Sequence, residues 1–241
     1  MSHIHPIADF HTHTLFSPHA YSTVTENAAA AARCGLLAVA CTDHAEATPD
    51  TGHHWHFTNM KILPPVIESV RVLRGMEANV LDFTGRIDAS PVLRGQMELV
   101  IASMHAGTMP EGSVEEITQA WTAVAADPDI DIIGHSGTPR YAFDFEVVVP
   151  LFGQHGKVVE INEGSFRIRP GSYENCKRIA ELCKQHGVRI AVSSDAHFHV
   201  NIGQFNNAIA LLDDIDFPPE LIVNNSRESL TAFFEEKGIV W

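Results

Sequence analysis

The feature that most constrains this chain is an alternation. Short apolar runs bounded by turn residues take turns with stretches of helical periodicity from one end of the sequence to the other. The strand-like runs are PIADFH (6–11), LLAVACTDH (36–44), VRVLRGMEANV (70–80), ELVIASMHAG (98–107), DIDIIGHSG (129–137), KVVEINEGS (157–165) and RIAVSSDAH (189–197). A near-continuous run such as LLAVAC reads as a strand buried on both faces, which is the habit of parallel sheets covered by helices. Helical patterns fill the intervals. One opens at a capping box of Thr23 and Glu26 and stops at Gly35. Others span about 59–69, a stretch behind Ser113 and Glu116, 144–154, 172–186 with its stop at Gly187, 203–213 and 226–237. Between them lie a His-rich loop, TGHHWHF (51–57), a hairpin excursion, DFTGRIDAS (82–90), and a short apolar piece, LIV (221–223).

Strand-helix repeats in this order predict an α/β fold with a parallel sheet. An open doubly wound sheet would favour GxGxxG after the first strand, and none is present. The expectation is a distorted seven-stranded (β/α)7 TIM-like barrel, one strand short of the usual eight. No linker, repeat or shift of composition divides the chain, so residues 1–241 are expected to form a single domain.

The polar residues at the C-terminal ends of these runs give the chemistry. The first supplies His11 and His13, with His19 shortly after; the second Asp43 and His44; the third Glu77. The fourth and fifth supply His105 and His135, the sixth Glu160, Asn162 and Glu163, and the seventh Asp195 and His197. In a barrel these ends converge on one rim, where barrel enzymes build their sites. Residues two apart on a strand share a face, about 6–7 Å apart, so His11 with His13 and Asp195 with His197 can converge on an ion. Neutral imidazole and carboxylate are the usual ligands of Zn, Mn and Fe. Any one of these histidines could be an ordinary hydrogen-bonded side chain, but ligand types at the same end of successive strands point to a metal centre. Seven histidines, one Glu and one Asp exceed the three or four ligands that one ion needs, which suits two or three ions with a bridging carboxylate.

Composition narrows the partners. A formal charge of −14 repels polyanions, so neither an extended nucleic acid nor an acidic membrane is an expected partner. Bound cations would invert the potential locally and favour an anionic ester. No apolar run approaches a membrane span, and the N-terminal residues do not read as a signal peptide. Cys34, Cys41, Cys176 and Cys183 form no CxxC pair and read as reduced thiols of a cytoplasmic protein.

The ordered set FHTHTLFSPH, CTDH, GMEAN, SMHAG, IIGHSG and SSDAH resembles the PHP (polymerase and histidinol phosphatase) superfamily, and in particular its compact stand-alone bacterial phosphatases. The resemblance covers essentially the whole chain, including HHWHFTNM and DFPPELI. It implies a trinuclear centre of divalent ions, Zn first, with Mn or Fe as alternatives. Carried over by position, one ion would take His11, His13, Glu77 and Asp195. A second would share Glu77 and take His105 and His135, and a third would take His19, His44 and His197. Ser136 stands where relatives commonly have Pro, which affects the local loop and not the ligand set.

The resemblance implies a metal-dependent phosphoesterase acting on small phosphorylated substrates, most simply phosphomonoesters, through a hydroxide activated at the centre. Glu77 would bridge two ions, while His44 and His197 would help hold the phosphate oxygens. Arg140, Arg167 and Arg169 are candidate phosphate clamps, and His54 in the His-rich loop is a candidate substrate contact. Analogy also suggests a homo-oligomer, possibly a trimer. Two other classes compete. A metal-dependent amidohydrolase would usually carry eight strands and often a Lys after the fourth, where this chain has His105. A regulatory metal-binding protein without turnover would keep the same ligands.

Overall fold

The computed structural model describes residues 2–241. Its strands are β1 (Ala8–Asp9), β2 (Ala38–Cys41), β3 (Val66–Ile67), β4 (Val70–Asn79), β5 (Leu99–Ser103), β6 (Ile132–Ile133), β7 (Val158–Asn162) and β8 (Ile190–Ser193). The helices are α1 (Val24–Arg33), α2 (Trp55–Asn59), α3 (Pro91–Arg94), α4 (Val114–Ala126), α5 (Phe145–Gln154), α6 (Glu163–Ile168), α7 (Ser172–His186), α8 (Asn206–Asp214) and α9 (Arg227–Lys237). Seven strands pair in parallel in the order β1-β2-β4-β5-β6-β7-β8, and β3 is antiparallel to β4. They curl into a nearly closed, TIM-like barrel, as the alternation predicts. Both anticipated capping boxes form, Thr23 with Glu26 on α1 and Ser113 with Glu116 on α4. Gly187 ends α7 in the left-handed conformation.

Alternation along each strand sorts the side chains. Ala38, Ala40, Leu73, Leu99, Ile101, Ile132, Val158 and Ala191 belong to an inner cluster that Phe233 and Phe234 of α9 cover from below. Val39, Cys41, Val72, Val100, Ala102, Val159 and Ile161 pack outward against the helices. The inner face then changes character as the strands rise, since positions two apart share a face. On β4, Leu73 is followed by Gly75 and Glu77; on β7, Val158 is followed by Glu160 and Asn162. The lower barrel is thus a packed apolar core, and its upper rim is polar.

The first and last strands do not form a full ladder. Near the rim they meet through a parallel bridge of Thr12 with Ala196, where the His13 N–H donates to Ala196 O at 2.9 Å. Below, the LIV piece enters the gap. Ile222 bridges Ile190, and the Ile7 N–H donates to Asn224 O at 2.8 Å. The buried Asn224 side chain donates to Ala8 O at 2.7 Å and Val192 O at 2.8 Å, and accepts from the Val192 N–H at 3.1 Å. One short segment and one amide thus occupy the place an eighth strand would take.

Three local expectations are corrected. The helix expected over 59–69 is instead the short α2, a 3-10 turn at Met60–Ile62 and the β3–β4 hairpin. Pro64 and Pro65 stop the helix, because proline lacks a donor and disfavours helical backbone in the residue before it. Glu68 and Ser69 then turn the chain with φ of 51° and 66°, the paired positive values of a type I′ hairpin turn. The sixth strand stops at Asn162 rather than 165, because Asn162 Oδ1 accepts the Ser165 N–H at 2.7 Å and opens α6. The helix expected over 203–213 begins at Asn206, after a 3-10 turn at His199–Asn201. Among the described residues, no helix is long and apolar enough to cross a membrane.

Candidate metal centre

The strand ends bring the predicted ligands to one place. Glu77, buried at the end of β4, stands at the middle of a ring of imidazoles. Its Oε1 lies 2.9 Å from His135 Nε2, 3.2 Å from His105 Nε2 and 3.3 Å from His11 Nε2. Its Oε2 lies 2.7 Å from His44 Nδ1 and 3.6 Å from His13 Nε2. Asp195 Oδ1 is 3.3 Å from His13 Nε2, 3.5 Å from His197 Nδ1 and 3.6 Å from His11 Nε2. His19 is exposed at the mouth, its ring 4.5 Å from that of His197 and 5.1 Å from that of His44.

Three groups have ligand atoms within 4.8 Å of one another: His11, His13 and Asp195; His44, Glu77 and His105; and His13, His44 and His197. The first contains three of the four residues expected for one ion, His11, His13 and Asp195, without Glu77. In the other two His44 stands between Glu77 and His197, and His13 rather than His19 completes the third. His135 joins the second through its short approach to Glu77.

Proton bookkeeping around the ring shows what it suits. His11 Nδ1 faces Glu160 Oε1 at 2.8 Å, and His105 Nδ1 faces Asn79 Oδ1 at 2.8 Å. His197 Nδ1 faces the backbone carbonyl of Asp195 at 3.0 Å, and His13 Nδ1 faces Ser17 Oγ at 3.2 Å. Each Nδ1–H therefore donates outward, which leaves the Nε2 lone pair aimed inward. The Nε2 atoms of His11, His13 and His197 are buried and have no hydrogen-bond partner; neither do His44 Nδ1 and Glu77 Oε2, although those two lie only 2.7 Å apart. Buried polar atoms are normally paired, so a cluster of orphans needs a cation. Imidazoles held from behind by carboxylate, amide, hydroxyl or carbonyl are the usual outer support of metal ligands. The residues fit divalent ions.

Electrostatics agree. Burial alone would raise the Glu77 carboxyl, but His11, His105 and His44 outweigh it and hold the group well below the ordinary range. Burial also opposes ionisation of Asp195, and His11, His13 and Arg169 more than offset it. His13 is driven well below its usual value by burial and by His197 and His44. His135 is pushed down to about 4 by burial and by the Arg169 charge. Burial would lower His11 as well, but Glu160, Glu77 and Asp195 outweigh it and raise the group well above its usual value, and Glu77 likewise outweighs burial and raises His44. The ionised carboxylates are ready for a metal, and these two imidazoles would release their protons on binding one. Two of the group also hold uncommon backbone conformations, His135 with φ 27° and Asp195 with φ 56°. Gly134, just before His135, lies close against β5: a Cβ there would lie 2.1 Å from Ser103 Oγ.

A cavity of about 370 Å³ opens over the ring, lined by His19, His44, His105, Asp195 and His197 together with Arg167, Ile168, Arg169 and Asn201. Arg169 Nη1 donates to Asp195 Oδ2 and Ser165 Oγ, both at 3.2 Å, while Arg167 Nη1 reaches Asn201 Oδ1 at 3.1 Å. The other two anticipated substrate contacts lie elsewhere. Arg140 pairs with Glu111 at 2.6 Å in an exposed ion pair. His54 binds Glu46 and lines a neighbouring cavity with Thr58 and Asp88. A larger groove of about 730 Å³ beside α2 is lined by Val24, Trp55, Met60 and Leu63, and His56 is its one ligand-type residue.

The outer residues were the ones sequence reasoning did not assign. Glu160 stood at a strand end without a role, and Ser17 and Asn79 were passed over, although each sits within the strand-end motifs. Asp43 turned out to serve loop structure: it accepts the Thr14 N–H and hydroxyl and the Ser17 hydroxyl, each at 2.7 Å.

Comparison with known proteins is consistent with this geometry. The sequence matches the PHP domain family over residues 9–164, well over half the chain. A probable phosphatase of Caldanaerobacter subterraneus is 42% identical over 233 residues, covering 96% of this chain and 92% of its own. A probable phosphatase of Clostridium botulinum is 40% identical over 232 residues, with 96% of each covered. Among solved structures, the histidinol phosphate phosphatase of Lactococcus lactis, complexed with Zn, L-histidinol and phosphate, superposes with a TM-score of 0.58. It is 14% identical, with 88% of this chain and 95% of that one covered, and so shares the fold.

Proposed function

The chain belongs to the PHP domain family and is a phosphoesterase, and we propose that it hydrolyses small phosphomonoesters at a centre of three divalent ions. The observation that carries this reading is the set of inward Nε2 atoms of His11, His13, His105 and His197 around Glu77 and Asp195, each backed by an outward Nδ1 hydrogen bond. His11, His13 and Asp195 would hold one ion. Glu77 would be shared between that ion and a second one at His105 and His135. His44 and His197, with His19 at the mouth, would hold the third. Zn suits so many imidazoles best, with Mn or Fe as alternatives. Bound divalent ions supply a hydroxide nucleophile at neutral pH and charge to offset the phosphate.

The chain's own residues bind and orient. Arg169 and Arg167 line the cavity and would take phosphate oxygens, as planar guanidiniums do well. Arg169 is already beside Asp195, so it adds positive charge at the floor. Arg140 and His54 do not line this cavity and are not assigned to the substrate. Asp195 and His197 lie beyond the residues matched to the family, which supports treating the full chain as one functional unit.

The experiment is metal analysis of the purified protein together with a panel of phosphomonoesters, phosphodiesters and amides. Three ions per chain with monoester hydrolysis are expected. Fewer than two ions would sink the trinuclear proposal, and cleavage of amides without phosphoesters would point to amidohydrolase chemistry.

A further inference from the structure

We propose that Ser17, Asp43 and His56 form a positioning relay that aims His13 and His44 at the ions and ties the His-rich loop to them. This rests on the metal-centre reading and extends it to residues outside the ligand set. The Ser17 hydroxyl donates its one proton to Asp43 Oδ1 at 2.7 Å. Ser17 Oγ is therefore an acceptor toward its other partners, His13 Nδ1 and the His44 backbone N–H, both at 3.2 Å. That fixes the His13 tautomer, with its proton on Nδ1 and a lone pair on Nε2. The same oxygen sets the backbone of His44, so one buried hydroxyl serves ligands of two different ions.

Asp43 keeps Ser17 in this role. Its two oxygens take four donors: the Thr14 N–H and hydroxyl, the Ser17 hydroxyl and His56 Nε2–H at 3.2 Å. Three of these come from the loop behind β1, which the carboxylate gathers into one turn. The fourth comes from α2. His56 stacks on Phe16 with ring centroids 3.8 Å apart and planes 10° apart. Phe16 in turn fills the space beside Gly52, where a Cβ would lie 2.4 Å from Phe16 Cε2. The loop over 51–57 is thus locked to the strand-end loop at two points, and one of them runs through Asp43 to the ligands. Simple satisfaction of a buried carboxylate would explain the bonds to Thr14. It does not require Ser17 to be an acceptor from His13.

The test follows ion release instead of turnover. Zn-loaded wild type, Ser17→Ala, His56→Ala and His56→Gln are titrated with a chromophoric chelator, and ions released per chain are counted. Ser17→Ala should give up two ions at about 10–100-fold lower chelator and keep the one at His105 and His135. His56→Ala should move the same two ions by a smaller factor. His56→Gln, whose amide can still donate to Asp43, should restore the wild-type curve. A wild-type release curve for Ser17→Ala would overturn the relay. If Ser17→Ala does not fold, the His56 pair decides, and a Gln variant that behaves like the Ala variant overturns it. A wild-type protein that holds no ions sinks the metal-centre reading itself, and the relay with it.

Discussion

At the scale of single residues, the centre depends on atoms that each have one remaining use. Glu77 lies within 3.6 Å of five imidazoles and is itself almost wholly buried. Glu77→Ala should lose two ions together and lower kcat by at least about a hundredfold; metal analysis showing the loss of one ion would contradict the bridging role. Glu160→Gln tests the outer support, because it keeps the size of the group that holds His11 Nδ1 but weakens the acceptor. Zn affinity should fall about 10–100-fold, as measured by chelator competition. The clustering of the candidate ligands was legible in the sequence, because a His, Asp or Glu at a strand end is visible by type and position. Their supports were not: Ser17 and Asn79 are common polar residues, and only the fold shows which imidazole each one faces.

Among the elements, what was legible followed from local rules and what was not followed from tertiary pairing. Capping boxes at Thr23 and Ser113 and the stop at Gly187 depend on neighbours within a few residues, so the sequence carries them. The β3–β4 hairpin was missed because Glu68 and Ser69 stand where Asn-Gly would announce a type I′ turn. Left-handed backbone costs non-glycine residues roughly 1–2 kcal/mol each. Glu68→Asn with Ser69→Gly should therefore raise Tm by a few degrees in calorimetry, and no gain would mean the turn is not strained. The seam makes the opposite prediction. Asn224→Ala removes three buried hydrogen bonds and leaves backbone groups of Ala8 and Val192 without partners. At about 1 kcal/mol or more for each, the loss is about 3 kcal/mol, or a Tm lower by about 6–12 °C for a chain of this size.

For the molecule as a whole, charge is arranged against composition. A chain of formal charge −14 gathers imidazoles and two arginines at one cavity, and with ions bound as proposed small anions would be drawn there. Stability against acid is set partly at the opposite end of the strands. Burial would raise Glu98, but the Arg74 N–H and guanidinium and the Arg71 guanidinium outweigh it and lower its pKa. The unfolded chain therefore takes up this proton more readily than the folded one. The associated stability is fully present above the ordinary value of 4.5 and is lost as pH falls through the depressed folded value. Urea midpoints measured from pH 7 to 3 with metal removed should fall less steeply for Glu98→Gln than for wild type; parallel curves would remove Glu98 from the acid response.

The bridge of Thr12 with Ala196 has a consequence for how the protein is made. His11 and His13 leave the ribosome early, yet Asp195, which completes their site, is synthesised more than 180 residues later. A nascent chain therefore displays half-sites without a full ligand set for most of its synthesis. With the ions bound as proposed, productive metal capture would be a late event in biogenesis, coincident with closure of the barrel. Ions offered earlier would meet only an incomplete ligand set, so loading after release is the expected order.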